Sequence, residues 1–221
     1  MPTTVHAARP EGLDPEMTAA WSRIPVTIAS DIASGRVIAD PRIRPLRPFA
    51  SGRRLIGRAV TAWCERADFG PVLHAIDLAG PGEIVTVDAG GCLQTAYCGE
   101  ILCGAARRKG IAGLVIDGAV RDIDTIAGWD DFPVFALGNT ARGPLSKERG
   151  SVNGEIVFGG VAARPGDIVL GDNDGLAVIA AGEAAALLAL AEERLRMEEE
   201  WAGELARGRS LADVFSVPAA V

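Results

Sequence analysis

The sequence predicts an α/β layered sandwich on a mixed sheet, and three features of the chain carry that prediction. Strand-like and helix-like segments alternate through the middle, short strand-like runs then follow one another without helices between them, and a long Ala-, Leu- and Glu-rich stretch comes near the end. Alternation implies parallel pairing and consecutive strands imply antiparallel pairing, so a mixed sheet fits better than a doubly wound parallel one. With 221 residues, 48% of them apolar, the chain can bury one sizeable core, and no shift in composition divides it. A single domain over 15–221 is expected, behind a flexible arm at 1–14 where Pro2, Pro10 and Gly12 break any periodicity.

In chain order, a helix is expected from Pro15 to about Arg23, and Ile24 to Ile32 reads as a strand or loop entering a short helix. Pro41, Pro45 and Pro48 mark an extended connection. Gly57 to Trp63 alternates as a strand, and Phe69 to Ala79 has helical spacing. Pro81-Gly82 then turns into the β-branched run Glu83 to Asp88, which Ala89-Gly90-Gly91 is expected to end. Gly99 to Lys109 reads as a helix stopped by Gly110. Leu114 to Ile116 is a buried strand opening through Asp117-Gly118 into a turn, and Asp131 to Leu137 is a further strand. Arg142 to Gly154 is a long polar loop. Ile156 to Phe158, Asp167 to Leu170 and Gly175 to Ile179 are short strands between Gly- and Pro-containing turns, and Gly182 to Arg207 is a long helix without proline.

Composition removes several function classes. A net charge of −7 opposes binding to nucleic acid, which needs clustered Lys and Arg in excess, and the Arg42 to Arg58 stretch is interrupted by prolines. No apolar run reaches the roughly 20 residues that span a bilayer, and no signal segment is expected at the start of the chain. The four cysteines, Cys64, Cys92, Cys98 and Cys103, show no CxxC spacing, so a reduced, cytoplasmic protein is expected. Cys98 and Cys103 bracket Gly99-Glu100, which leaves a thiol role open beside the simpler reading of small buried hydrophobes. His6 and His74 are the only histidines, Lys109 and Lys147 the only lysines. A Ser-His-Asp triad, a multi-His zinc site and a Schiff-base lysine are therefore disfavoured. Carboxylates, arginines and backbone amides are left to do any chemistry.

Those groups converge in two places. Gly99-Glu100-Ile101-Leu102 opens a helix, so its unpaired N–H groups and positive dipole end can hold a carboxylate or phosphate. Arg121 and Asp122 stand side by side after the Leu114 strand. They read either as a solvated loop pair or as a site in which Asp122 takes Mg²⁺ or Mn²⁺ and Arg121 clamps a substrate carboxylate or oxyanion. In a βαβ-like unit the helix start and the strand exit reach the same sheet edge. That constellation suits a 2-keto acid, with Glu100 either orienting a metal-bound water or simply complementing the helix dipole.

With these residues in view, the chain resembles the class II pyruvate aldolases of the 4-hydroxy-4-methyl-2-oxoglutarate/4-carboxy-4-hydroxy-2-oxoadipate type, together with the ribonuclease E activity regulator A proteins. The resemblance runs from about Ser30 to Phe215. It rests on Gly57-Arg58-Ala59-Val60-Thr61, Pro81-Gly82-Glu83, Asp88-Ala89-Gly90-Gly91, Gly99-Glu100, Asp117 to Asp122, Val152-Asn153, Gly159-Gly160-Val161, Pro165-Gly166-Asp167 and Gly171 to Gly175, in that order. It implies an αββα sandwich resembling the phosphohistidine swivelling domain, and assembly as a homotrimer or dimer of trimers. It also implies a Mg²⁺ (or Mn²⁺) enzyme in which Asp122 binds the metal, Arg121 contacts the pyruvyl group and the backbone of Gly99, Glu100, Ile101 and Leu102 holds its carboxylate. Glu199 of a neighbouring subunit is the match for a second acid near the metal. Glu100 stands where the aldolases commonly have Asp. The implied activity is cleavage of 4-hydroxy-2-keto dicarboxylic acids to pyruvate, with oxaloacetate decarboxylation. The alternative is a non-catalytic regulator that binds an RNA-processing enzyme; such regulators lack the acid after the Arg and the Gly-acid pair, both present here. Glu100 and the 142–154 loop are expected to shape the distal pocket.

Overall fold

A computed structural model describes residues 2–7 and 14–218. Eleven strands are found among them: β1 Thr4–Val5, β2 Arg44–Pro45, β3 Leu55–Cys64, β4 Glu83–Cys98, β5 Gly113–Val120, β6 Val134–Asn139, β7 Gly150–Val152, β8 Ile156–Phe158, β9 Val161–Ala163, β10 Ile168–Asp172 and β11 Gly175–Ile179. The α-helices are α1 Pro15–Trp21, α2 Val26–Ile32, α3 Gly70–Leu78, α4 Glu100–Arg108, α5 Ile123–Ala127, α6 Ala184–Ala206 and α7 Leu211–Val214.

The heart of the sheet is parallel, β3 to β4 to β5 to β6, as the alternating helices require. Antiparallel neighbours complete it. β3 gives the first part of one edge to β10 (Leu55 to Arg58) and the last part to β7 (Ala62 to Cys64), and β2 pairs with β6. Helices α3, α4 and α5 bury one face, where Val72, Ile76, Cys103, Ala106 and Ile126 meet Val85, Val87, Leu114 and Ile116. The other face, through Ala59, Ile84, Val115 and Phe135, meets Ile156, Phe158, Ala163, Leu176 and Val178 of the β8–β11 layer. Beyond that layer α1, α2 and α6 cover Ile168, Leu170, Ala177 and Ile179. The order is helix, strand, strand, helix: the mixed αββα sandwich, with its long C-terminal helix. Among the described residues no helix is long and apolar enough to cross a membrane.

Several local expectations are corrected. Val26–Ile32 is fully helical. In the segment read as a flexible arm, Thr4 and Val5 pair parallel with Ser151 and Val152; residues 8–13 of that segment lie outside the described ones. The 142–154 loop contains β7, and β9, α5 and α7 were not anticipated. The largest correction concerns glycines. β4 does not stop at Ala89-Gly90-Gly91: it bulges there, with positive φ at both glycines, and re-enters the sheet as far as Cys98. From Asp88 to Cys98 it advances ten residues while β5 advances three, Asp117 to Val120. The Asp117-Gly118 turn is accordingly the middle of β5. Gly118 has no side chain because the β4 excursion lies on it: a Cβ would stand 2.8 Å from Ala89 Cβ.

Two carboxylates fasten the layers together. Asp88 Oδ1 accepts the Gly90 N–H at 2.9 Å and Oδ2 the Val157 N–H at 3.3 Å, while Asp117 Oδ2 accepts the Gly159 N–H at 3.2 Å. Burial pushes both carboxyl groups above their ordinary range, against the pull of these amides. The unfolded carboxyls ionise first as pH rises, so the folded state holds more protons in that window and stability falls through it. Asp117→Asn keeps an oxygen for Gly159 and removes the titration. Its stability relative to the parent is expected to grow from about pH 4 towards neutrality, read by urea unfolding at both pH values; parallel pH dependences would refute it.

Candidate functional site

The carboxyl ends of the parallel strands β4, β5 and β6 deliver the candidate residues to one edge, where open α/β sheets bind ligands. β5 ends at Val120, paired with Cys98 and Asn139. The Arg121 N–H then donates to Cys98 O at 3.0 Å, so the chain leaves β5 still held to the end of β4. Asp122 follows as the N-cap of α5 with φ 59° and ψ 40°, a left-handed conformation in a non-glycine residue. Such a conformation costs about 1–2 kcal/mol, least for Asp and Asn, and persists only where its surroundings hold it.

The holding group is the helix start the sequence singled out. Asp122 Oδ2 accepts the Glu100 N–H at 3.0 Å, a charge-assisted bond to one of the unpaired amides of α4. Arg121 Nε lies 3.6 Å from the same oxygen, both side chains a little over 40% exposed. The structure thus brings Gly99, Glu100, Ile101, Leu102, Arg121 and Asp122 together. Gly99 is extended, φ −154°, so space rather than backbone freedom demands glycine. A Cβ there would run into Asp122 Oδ2 and lie 2.9 Å from Arg121 Cγ.

Two cavities flank the pair. The smaller, about 170 Å³, is mostly apolar and is walled by Phe69, Tyr97, Ile101, Leu102 and Pro144 beside Gly99, Arg121 and Asp122. The larger, about 590 Å³, is more polar, with Glu100, Asp124, Thr125, Asn139 and Thr140. Glu100 thus spends its amide on Asp122 and directs its exposed side chain to the polar side. Sequence reasoning missed Gly143, although it lay in the loop expected to shape the pocket. A Cβ on Gly143 would stand 2.8 Å from Arg121 Nη1, so the loop backbone backs the guanidinium. That loop is pinned to β4 by the Ala96 N–H donating to Arg142 O. Tyr97, fully buried, accepts the Ala67 N–H on its hydroxyl at 3.0 Å, and burial raises its pKa. Only the closeness of these loops in space identifies such residues.

Glu199 is not brought to this place within the chain. It is exposed on α6, whose main packing partners are α2, α7 and α1 rather than the elements around Asp122. Among the described residues no group of three or more His, Cys, Asp and Glu side chains gathers to hold an ion. One carboxylate nevertheless suits Mg²⁺, which binds oxygen and commonly keeps several waters alongside one or two protein carboxylates and the substrate. Asp122 fits that part, because its position is set by a backbone amide and its carboxylate opens onto both cavities.

Comparison with known proteins places this geometry. The model of the RraA-like family, Aldolase/RraA, matches residues 26–178. A Halalkalibacterium halodurans protein named "Putative 4-hydroxy-4-methyl-2-oxoglutarate aldolase" is 35% identical over 190 residues, 86% of each chain. A Pseudomonas aeruginosa protein of the same name is 38% identical over 125 residues, 55% of this chain and 74% of its own. Among solved structures, an uncharacterized protein from Pseudomonas syringae superposes with a TM-score of 0.80 at 23% identity, covering 93% of this chain and 99% of that one. The RNA-processing inhibitor RraA from Thermus thermophilis does so at 0.62 and 30% identity, covering 70% and 92%. The bulged β4, the helix start at Gly99 and the Arg121-Asp122 exit all fall inside the matched span, and the chain belongs to the RraA-like family, Aldolase/RraA.

Proposed function

We propose that the chain is a divalent-metal-dependent carbon–carbon lyase that cleaves 4-hydroxy-2-keto dicarboxylic acids of the 4-hydroxy-4-methyl-2-oxoglutarate and 4-carboxy-4-hydroxy-2-oxoadipate type to release pyruvate. Oxaloacetate decarboxylation follows from the same chemistry. The observation that carries the reading is the Asp122 carboxylate, held in a left-handed N-cap by the Glu100 amide with Arg121 beside it. The names of the curated relatives support it.

Asp122 would hold Mg²⁺ or Mn²⁺, whose Lewis acidity polarises the keto oxygen. The protein's own groups do the rest. The N–H groups at the start of α4 beyond Glu100 take the substrate carboxylate, where the helix dipole favours negative charge. Arg121, its guanidinium backed by Gly143, stabilises the charge that develops on the C2 oxygen. Glu100, facing the polar cavity, accepts the C4 hydroxyl proton through water. As the proton leaves, the O–H electrons form the new carbonyl, the C3–C4 bond breaks and its electrons move towards the C2 oxygen. Protonation at C3 then yields pyruvate. In oxaloacetate the bond to carbon dioxide breaks in the same sense. The longer Glu reaches further into the cavity than the family's Asp would.

Glu199 enters this scheme only from a second chain. Ile101 and Leu145, 78% and 79% exposed beside the site, fit a surface that a homotrimer or dimer of trimers covers. Four free cysteines suit a reducing cytoplasm.

Pyruvate release from 4-hydroxy-4-methyl-2-oxoglutarate or oxaloacetate is expected with Mg²⁺ and not with EDTA. Asp122→Asn keeps the left-handed backbone and is expected to cut the rate about a thousandfold, the scale of a metal ion's charge stabilisation. Rates insensitive to EDTA and to this variant would refute the metal site at Asp122, whereas no pyruvate release, with direct binding to an RNA-processing enzyme, would replace the lyase reading. Gly99→Ala is expected to lose about a hundredfold in rate and to melt a few degrees below the parent, since its methyl displaces the Asp122 carboxylate from the Glu100 N–H. Glu100→Gln is expected to lose about a hundredfold or more in kcat with a smaller change in KM, separated by steady-state kinetics.

A further inference from the structure

Beneath the helix start lies a pair of side chains that the proposed reaction does not use. Cys98 closes β4 and Cys103 sits in the first turn of α4, and their Sγ atoms are 3.0 Å apart. Both are buried, yet not equivalently. Cys98 lines the smaller cavity beside Gly99, Arg121 and Asp122, whereas Cys103 is 0% exposed and lines neither cavity. The cavity opens to solvent, and its roughly 170 Å³ admits a hydroperoxide.

We propose that Cys98 and Cys103 form a peroxide-reactive dithiol site, oxidised reversibly to a disulfide that clamps residues 99–103. Geometry sets the order of events. Cys98, the member of the pair that lines the cavity, gives up its proton and attacks a peroxide oxygen. The O–O bond breaks, Cys98 becomes a sulfenic acid and the alcohol or water of the peroxide departs. Cys103 then attacks the Cys98 sulfur, the S–S bond forms and the sulfenic oxygen leaves as water, taking up the Cys103 proton. In total one peroxide is reduced, two thiols are oxidised, and hydrogen peroxide yields two waters. A dithiol reductant reverses the step by exchange.

The bond has a mechanical consequence. A disulfide brings sulfurs to about 2.0 Å, so the pair closes by about 1 Å. The bridge joins the end of β4 to the helix turn whose first bond runs from the Cys103 N–H to Gly99 O, and the same turn supplies the Glu100 amide to Asp122. The disulfide thus fastens the helix start on its buried side. Its formation is independent of the lyase reading; only its effect on pyruvate release rests on that reading.

The test treats the reduced full-length protein with hydrogen peroxide and alkylates the remaining thiols. Expected are loss of the mass of two hydrogens, protection of two thiols mapped to Cys98 and Cys103, and recovery with dithiothreitol. Cys103→Ser is expected to stop at a sulfenic acid on Cys98, captured by dimedone, and Cys98→Ser to give no bridge. Amide exchange across 100–103 is expected to slow about tenfold in the oxidised protein, and pyruvate release to change about tenfold, through a shift of about 1 Å at the site. Cys64 and Cys92, also buried, are internal controls. No bridge, dimedone on Cys103, or equal oxidation of Cys64 and Cys92 overturns the site even if a variant fails to fold. A bridge that leaves exchange at 100–103 unchanged overturns the clamp. Absent pyruvate release with the bridge and slowed exchange intact refutes the lyase alone.

Discussion

The bond from the Glu100 N–H to Asp122 Oδ2 joins the two halves of the site. It ties the first turn of α4 to the N-cap of α5, two elements that leave neighbouring parallel strands. An isolated residue with Asp122's dihedrals would relax towards the right-handed region. Here the backbone is anchored before it by the Arg121 N–H on Cys98 O and after it by the Ile126 N–H on Asp122 O. The carboxylate bond is worth about 1.5–3 kcal/mol when buried and less where a side chain is 42% exposed, enough to offset much of the strain. Gly99 and Gly143 make room on either side, one for the carboxylate and one for the guanidinium.

Placement of that bond depends on the unusual length of β4. A strand ending at Gly91 would leave the α4 start well short of the β5 exit. The excursion from Asp88 to Cys98 carries the chain over Gly118 and returns it beside Val120, so that α4 begins where β5 ends. The buried carboxylates of Asp88 and Asp117, bonded to Val157 and Gly159, hold the outer strand layer against these strands. They carry a desolvation cost to do so, which is the kind of expense a site-bearing scaffold tolerates.

Much of the helical part was legible locally. Pro15, the apolar spacing of 70–78, the Gly99-Glu100 start and the proline-free C-terminal run are signals contained within single elements, and the four helices they mark, α1, α3, α4 and α6, appear within a few residues of their expected places. The strands were less legible where partners mattered. Asp117-Gly118 has turn chemistry, yet stands in mid-strand because another strand crosses it; Gly90-Gly91 has the chemistry of a strand end, yet forms a bulge. β1, β7 and β9 have three residues or fewer and exist only through pairing.

The sequence by itself determined which chemistry was available, because it holds two histidines, two lysines and one Arg-Asp pair following a helix-start Gly-acid pair. It also determined the alternation that forces a parallel centre, since neither residue type nor apolar spacing depends on distant contacts. Only the tertiary structure decided that Glu100 gives its amide to Asp122 and lines a separate cavity, that Gly143 backs Arg121, and that Cys98 lines the smaller cavity while Cys103 does not. It also left Glu199 away from the site within one chain. These are distances between segments remote in sequence, set by strand register and layer packing, and no local pattern of residues encodes them.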